Sequence, residues 1–205
     1  GEDGDRRLDF LARLRGDVTG RGVLEVLRTG VLHREHTVRV YYGIPTPGND
    51  TAARRYAQNR LGLTRQLHYS TRSESSLDVA LSVNGLPIVT LELKNPLTGQ
   101  TVEEAKRQYR QDRDPREPVF EFKRRTLVHF AVDTEAAWMT THLAGSATRF
   151  LPFNRGDAGG AGNPADPLGR SYRTAYLWED VLARDSLLDL LARFLHLQVD
   201  ERRDE

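Results

Sequence analysis

Residues 77–94 constrain the fold of this chain more than any other stretch. Leu77-Asp78-Val79-Ala80-Leu81-Ser82-Val83 is a mostly apolar run of strand length. Asn84-Gly85 follows it, and both residues accept the positive φ that a tight hairpin turn demands. Ile88-Val89-Thr90-Leu91-Glu92-Leu93-Lys94 is the returning strand. Asn95-Pro96 stops it, because proline has no N–H to give to a sheet. Three charges interrupt this otherwise buriable hairpin: Asp78, Glu92 and Lys94. Residues i and i+2 of a strand share a face, so Glu92 and Lys94 point the same way. Charges on a buried face are costly unless they are paired or bind a metal.

Register decides whether the two acids meet. A regular two-residue turn pairs Val83 with Leu86 and Asp78 with Leu91, which sends Asp78 and Glu92 to opposite faces. A bulge or a longer turn restores a common face. Pro87 cannot complete a ladder bond, so irregularity is expected there. The sequence thus predicts a non-ideal hairpin with Asp78 roughly opposite Glu92. Two neighbouring carboxylates repel each other, and a divalent cation relieves that repulsion. Mg²⁺ takes oxygen ligands and keeps several waters, so Asp78, Glu92 and the backbone carbonyl of Leu93 form a candidate metal set. Lys94 is then placed to orient or deprotonate a metal-held water, and phosphodiester hydrolysis is the chemistry that follows. The competing reading is an ordinary ion pair, because Glu-x-Lys on a strand is common.

The rest of the chain supplies strands flanked by helices, which argues for an α/β domain. Helical spacing occurs at 6–15, 22–33, 51–61 and 187–197. Thr101 with Glu104 reads as a capping box opening a helix that runs to about Arg113 and stops before Pro115. Residues 38–42, 64–69, 126–132 and 136–143 read as extended, with 126–132 apolar enough for a central strand. Residues 1–199 are expected to form a single domain in which the Gly/Pro-rich stretch 155–170 is a flexible loop. Residues 200–205 are expected to be a charged tail. His129 is expected as a hydrogen-bonded core residue, and Trp138 and Trp178 as core residues.

Net charge is +1, so bulk charge does not mark a nucleic-acid binder. Arginine nevertheless clusters after the hairpin at Arg107, Arg110, Arg113 and Arg116, and its planar fork suits phosphate. Acidic neighbours interleave, so a solvated, salt-bridged surface is the alternative. There is no cysteine, which excludes disulfides and thiolate metal sites and fits a reducing compartment. No apolar run approaches the ~18–20 residues of a membrane span, and the charged start does not read as a secretory leader. It also lacks an initiator Met, so a fragment is expected.

Several stretches together resemble one family. They are Arg65-Gln66-Leu67-His68-Tyr69-Ser70, Ser76-Leu77-Asp78-Val79, Val83-Asn84-Gly85-Leu86-Pro87, Leu91-Glu92-Leu93-Lys94-Asn95-Pro96, Asp112-Arg113-Asp114-Pro115 and Phe150-Leu151-Pro152-Phe153-Asn154. With others across residues 60–197 they look like the R (restriction) subunit of Type I restriction–modification enzymes. The resemblance implies a restriction-endonuclease-like PD-(D/E)xK fold: an α/β domain with a mixed central sheet flanked by helices. It implies Mg²⁺-dependent cleavage of double-stranded DNA, with Mn²⁺ as a substitute. It assigns catalysis to Asp78, Glu92 and Lys94. Leu77 stands where the motif's proline would be. The family's helical glutamine matches Gln108, while position 112 is Asp where the family has Tyr. Arg107, Gln108, Tyr109 and Arg110 are the candidate DNA contacts, and Glu25 or Glu35 the candidate auxiliary acid.

The implied partners are double-stranded DNA, helicase-like translocase domains of the same subunit, and methylase and specificity subunits. A bacterial or archaeal cytoplasm is the implied location. No Gly-x-x-x-x-Gly-Lys-Ser/Thr phosphate loop occurs in these residues, so no ATP site is expected here. A non-catalytic DNA-binding or assembly module, or a freestanding defence nuclease, are the other functions the sequence leaves open.

Overall fold

The computed structural model describes residues 2–196. The expected tail at 200–205 and residue 197 of the last expected helix lie outside them. The chain opens with helices α1 (Glu2–Arg21) and α2 (Val23–Thr29), then a small hairpin of β1 (Val31–His33) and β2 (His36–Val38). Helix α3 (Asp50–Ala57) leads into β3 (Leu61–His68), β4 (Ser76–Val83) and β5 (Leu86–Leu93). Helix α4 (Val102–Gln111) crosses to β6 (Val128–Val132), followed by β7 (Ala137–Thr140), the short β8 (Leu151–Pro152) and helix α5 (Arg184–Asp189). Strands β3 to β8 form one six-stranded sheet in chain order. Only β5 and β6 pair in parallel. That pairing follows from the α4 crossover, because parallel neighbours need a long connection. The result is the mixed sheet flanked by helices that the resemblance implies.

Alternation along the strands sorts side chains onto two faces. Val89 and Leu91 of β5 and Phe130 and Val132 of β6 pack with Val18, Val23, Leu27, Leu187 and Leu188 from α1, α2 and α5. On the opposite face, Ala131 packs with Ala105 and Tyr109 of α4 and with Phe120, Leu143 and Phe150. Thr90, Glu92 and His129 point to that second side and are buried there.

Local chemistry explains the element ends. Thr101 and Glu104 form the expected capping box at the start of α4. Asp133, just past β6, accepts from Val102 N–H at 2.8 Å and fixes that helix start over the strand ends. At the α1–α2 junction Gly22 has φ +88°, and a Cβ there would lie 2.2 Å from the Lys123 carbonyl oxygen. Only glycine fits, which lets Val23 N–H bond Arg124 O at 2.8 Å.

Several expectations need correction. The helix expected over 22–33 stops at Thr29, where Gly30 takes φ 83° and turns the chain into β1. The strand expected at 38–42 is instead the end of β2 followed by irregular chain, with Tyr41 Oη bonded to Leu188 O at 2.5 Å. Leu61, read as helical, begins β3. The helix expected from 187 begins at Arg184 and passes into a π-turn at Leu190–Phe194. Trp178 is 44% exposed and is no core residue, because its helical turn sits at the surface. No helix among the described residues is long and apolar enough to cross a membrane.

Candidate active site

The β4–β5 hairpin carries the irregularity that brings the acids together. Its turn has two residues, with Asn84 at φ 51° and Gly85 at φ 84°, and Val83 faces Leu86. The register then shifts. Ser82 faces Pro87, whereas Leu81 faces Val89, so Ile88 is an extra residue on β5. Ile88 and Val89 consequently both enter the same core cluster, which strict alternation forbids. Beyond the bulge Val79 faces Leu91. Continuing that register puts Asp78 opposite Glu92, on the face they share.

At Asp78 the strands part. Leu77 packs with the α4-side cluster and Val79 with the opposite one, so alternation breaks between them. The backbone ladder gives way to a side chain: Asp78 Oδ2 accepts from Leu93 N–H at 2.8 Å. Its other oxygen accepts from Gln66 Nε2 at 3.2 Å. Gln66 sits on β3 with φ 49°, a conformation that non-glycine residues rarely adopt. Such strain persists where surrounding contacts over-determine it, and here Ser76 Oγ also donates to the side-chain Oε1 of Gln66 at 3.0 Å.

Glu92 is wholly buried. Arg113, 5% exposed, donates to Glu92 Oε1 through Nε at 2.8 Å, and its Nη2 lies 2.6 Å from the same oxygen as an ion pair. Glu92 Oε2 is buried and meets no donor. Burial pushes the Glu92 carboxyl up to about 7. The Arg113 guanidinium pulls it down, and Asp78 pushes it up by its charge and at hydrogen-bonding range. The two acids therefore adjoin. Lys94 is half-buried just past the C-terminal end of β5, where its N–H bonds Val132 O at 2.9 Å.

Beneath the acids runs a buried polar chain. Thr90 Oγ1 lies 2.9 Å from Tyr109 Oη and 2.7 Å from His129 Nδ1. Burial, with a smaller push from His142, lowers His129 to about 3, so its ring is neutral. His129 is thus the hydrogen-bonded core residue the strand pattern predicts.

The remaining candidates scatter. Tyr109 is completely buried with its hydroxyl on Thr90, so a DNA contact does not fit its position. Tyr109 faces the core because α4 buries Val102, Ala105, Lys106 and Tyr109 on one stripe. Arg107 is exposed. Arg110 is half-buried and donates to Thr148 O at 3.1 Å. Gln108 is half-buried and its Oε1 lacks a partner. Glu25 lies on α2 and Glu35 in the turn between β1 and β2; both are exposed, and neither contacts the acidic pair. A groove of about 780 Å³ lined by Arg6, Phe10, His33 and Arg34 lies away from the acids. Arg113 is the contact that sequence reasoning does not single out. It sits in the charged run Asp112-Arg113-Asp114 beyond α4, where no periodicity marks it as buried.

The donors suit a small divalent cation in kind. Asp78 and Glu92 offer carboxylate oxygens, Leu93 a backbone carbonyl, and Glu92 Oε2 is a buried acceptor without a partner. Among the described residues no group of three or more His, Cys, Asp or Glu side chains could hold a metal. A cation here would therefore rely on two carboxylates and the Leu93 carbonyl, completed by water, a set that suits Mg²⁺. No curated protein and no solved structure matches the chain. Residues 25–148, more than half of the chain, match the family model described as Type I restriction enzyme R protein N terminus, and the chain belongs to that family.

Proposed function

We propose that this domain is a Mg²⁺-dependent endonuclease that hydrolyses phosphodiester bonds of double-stranded DNA within a Type I restriction enzyme. The observation that carries this reading is the bulge at Ile88, which sets Asp78 beside a buried Glu92 whose Oε2 has no donor. Membership of the R-subunit family supports the nuclease assignment. Asp78, Glu92 and the Leu93 carbonyl would hold the ion, which when bound supplies Lewis-acid polarisation and a neutral-pH nucleophile. Lys94, two residues past Glu92 and just beyond β5, would hold a proton or a phosphate oxygen beside the pair. Gln66 and Leu93 N–H keep Asp78 in place. DNA is engaged mainly through its backbone, with Arg107 and Gln108 on the helix beside the site. The motor, methylase and specificity functions belong to partner domains and subunits.

Supercoiled plasmid incubated with the protein in Mg²⁺ or Mn²⁺ tests this. The wild type is expected to produce nicked and linear DNA, and Lys94→Ala to cut on the order of 100-fold more slowly. Equal cutting by the two proteins, or none by the wild type at high enzyme concentration, refutes the catalytic reading and leaves a DNA-binding or assembly module.

A further inference from the structure

Arg113 has no part in the reading above, yet its placement is specific. It is almost fully buried, and one guanidinium serves two strands. Nε and Nη2 both reach Glu92 Oε1 on β5, while Nη2 also donates to the Ser76 carbonyl, on β4, at 2.9 Å. These are the strands that bear the acids, and the contact lies just beyond the point where their backbone ladder ends. The Tyr69 ring, 5.8 Å from the guanidinium carbon, walls it in.

The pattern of donors is informative. An arginine fork ordinarily divides its N–H groups between the two oxygens of a carboxylate. Here Nε donates to Oε1, Nη2 also lies beside Oε1 while donating to Ser76, and neither nitrogen is bonded to Oε2. Asp78 already has a donor on each oxygen, from Gln66 and from Leu93 N–H. Glu92 Oε2 is therefore the one oxygen of the acidic pair with no hydrogen-bond donor. A buried ion pair is poor evidence of added stability, since desolvation offsets most of its attraction. Fixing the direction of a ligand is a different role, and partners behind metal ligands commonly perform it.

We infer that Arg113 is a positioning residue: it grips Glu92 by Oε1, ties it to β4 through Ser76, and so presents Oε2 as the fixed acidic ligand for a divalent cation. This rests on the metal-dependent reading of Asp78 and Glu92. The opposite role would be a plug, with the guanidinium occupying the cation's place. The two roles predict opposite signs, because removing a positive charge beside a cation site tightens binding unless the charge was holding a ligand in place.

Mn²⁺ is titrated calorimetrically into the wild type, Arg113→Met and Arg113→Lys at pH 8, with folding checked by circular dichroism. Both variants are expected to bind Mn²⁺ about ten-fold more weakly or worse. Lysine does not rescue, because an ammonium keeps the charge but lacks the planar fork. Binding by Arg113→Met as tight as the wild type, or tighter, overturns the inference, as does full rescue by lysine. Should neither variant fold, the Arg113 Nε–H resonance of the wild type decides. Its persistence in a hydrogen-bonded position through a Mg²⁺ titration supports positioning, and its release to solvent overturns it. A wild type that binds no Mn²⁺ refutes the metal-dependent reading itself, and the inference with it.

Discussion

Replacing Glu92 with glutamine should change how stability depends on pH, and the size of the change follows from the site. The folded carboxyl ionises near 7, whereas its ordinary value is 4.5, because burial outweighs the attraction of Arg113. A raised carboxyl means that between those values the folded chain holds a proton that the unfolded chain has lost. Stability therefore falls as pH rises through this window. The contribution is absent well below 4.5 and reaches its full cost above 7. Integrated from pH 5 to pH 8, it amounts to roughly 2.5 kcal/mol, at about 1.4 kcal/mol for each tenfold change in proton affinity. Glu92→Gln removes the titration while keeping the shape. Urea unfolding of both proteins at pH 5 and pH 8 gives two differences in free energy, and the gap between them cancels any fixed cost of the amide beside Arg113. The variant is expected to gain about 2.5 kcal/mol on the wild type as pH rises across that interval. Parallel pH profiles would show that Glu92 is hydrated or fully neutralised by Arg113, and the argument from its burial would fail.

Gly22→Ala should destabilise the fold by about 2 kcal/mol or more, since a Cβ at φ +88° would lie 2.2 Å from the Lys123 carbonyl oxygen; urea melts check it, and a neutral change would mean that the α1–α2 junction is looser than described. Tyr109→Phe should cost about 1 kcal/mol through the lost contact with Thr90 while leaving DNA affinity in a filter-binding assay unchanged; a marked loss of affinity without loss of stability would return Tyr109 to the DNA-contact set.

The parts of this site that were legible in the sequence are those governed by neighbours along the chain. Asn84-Gly85 specified the turn. Thr101 and Glu104 specified the start of α4. Even the bulge had a local sign, because a regular ladder would have separated two acids whose burial makes sense only together, and Pro87 marked where the ladder could yield. The break lies at Ile88, next to that proline. Where the sequence misled, tertiary contact had overruled local pattern. Residues 38–42 alternate as a strand does, yet Tyr41 turns its hydroxyl to Leu188 at the far end of the chain and the segment forgoes a sheet partner. Leu187 to Leu197 has one amphipathic period, but the helix starts earlier and widens into a π-turn at Leu190.

Arg113 shows the limit most clearly. Nothing within several residues distinguishes it from Arg107, Arg110 or Arg116, and all four belong to one basic run. Arg107 and Arg116 are exposed, whereas Arg113 is buried against Glu92, 21 residues earlier in the chain. The difference arises because α4 ends at Gln111 and the chain then turns across the open end of the β4–β5 hairpin. A buried carboxylate on β5 needs a cation, and the first arginine past the helix end is the one that this path delivers. The selection belongs to the crossover from β5 to β6, so the same parallel pairing that buries Glu92 also supplies its partner. Shortening that crossover by one residue between Gln111 and Pro115 would move the guanidinium off Glu92 and leave a buried charge unpaired, a change costing about 3–5 kcal/mol.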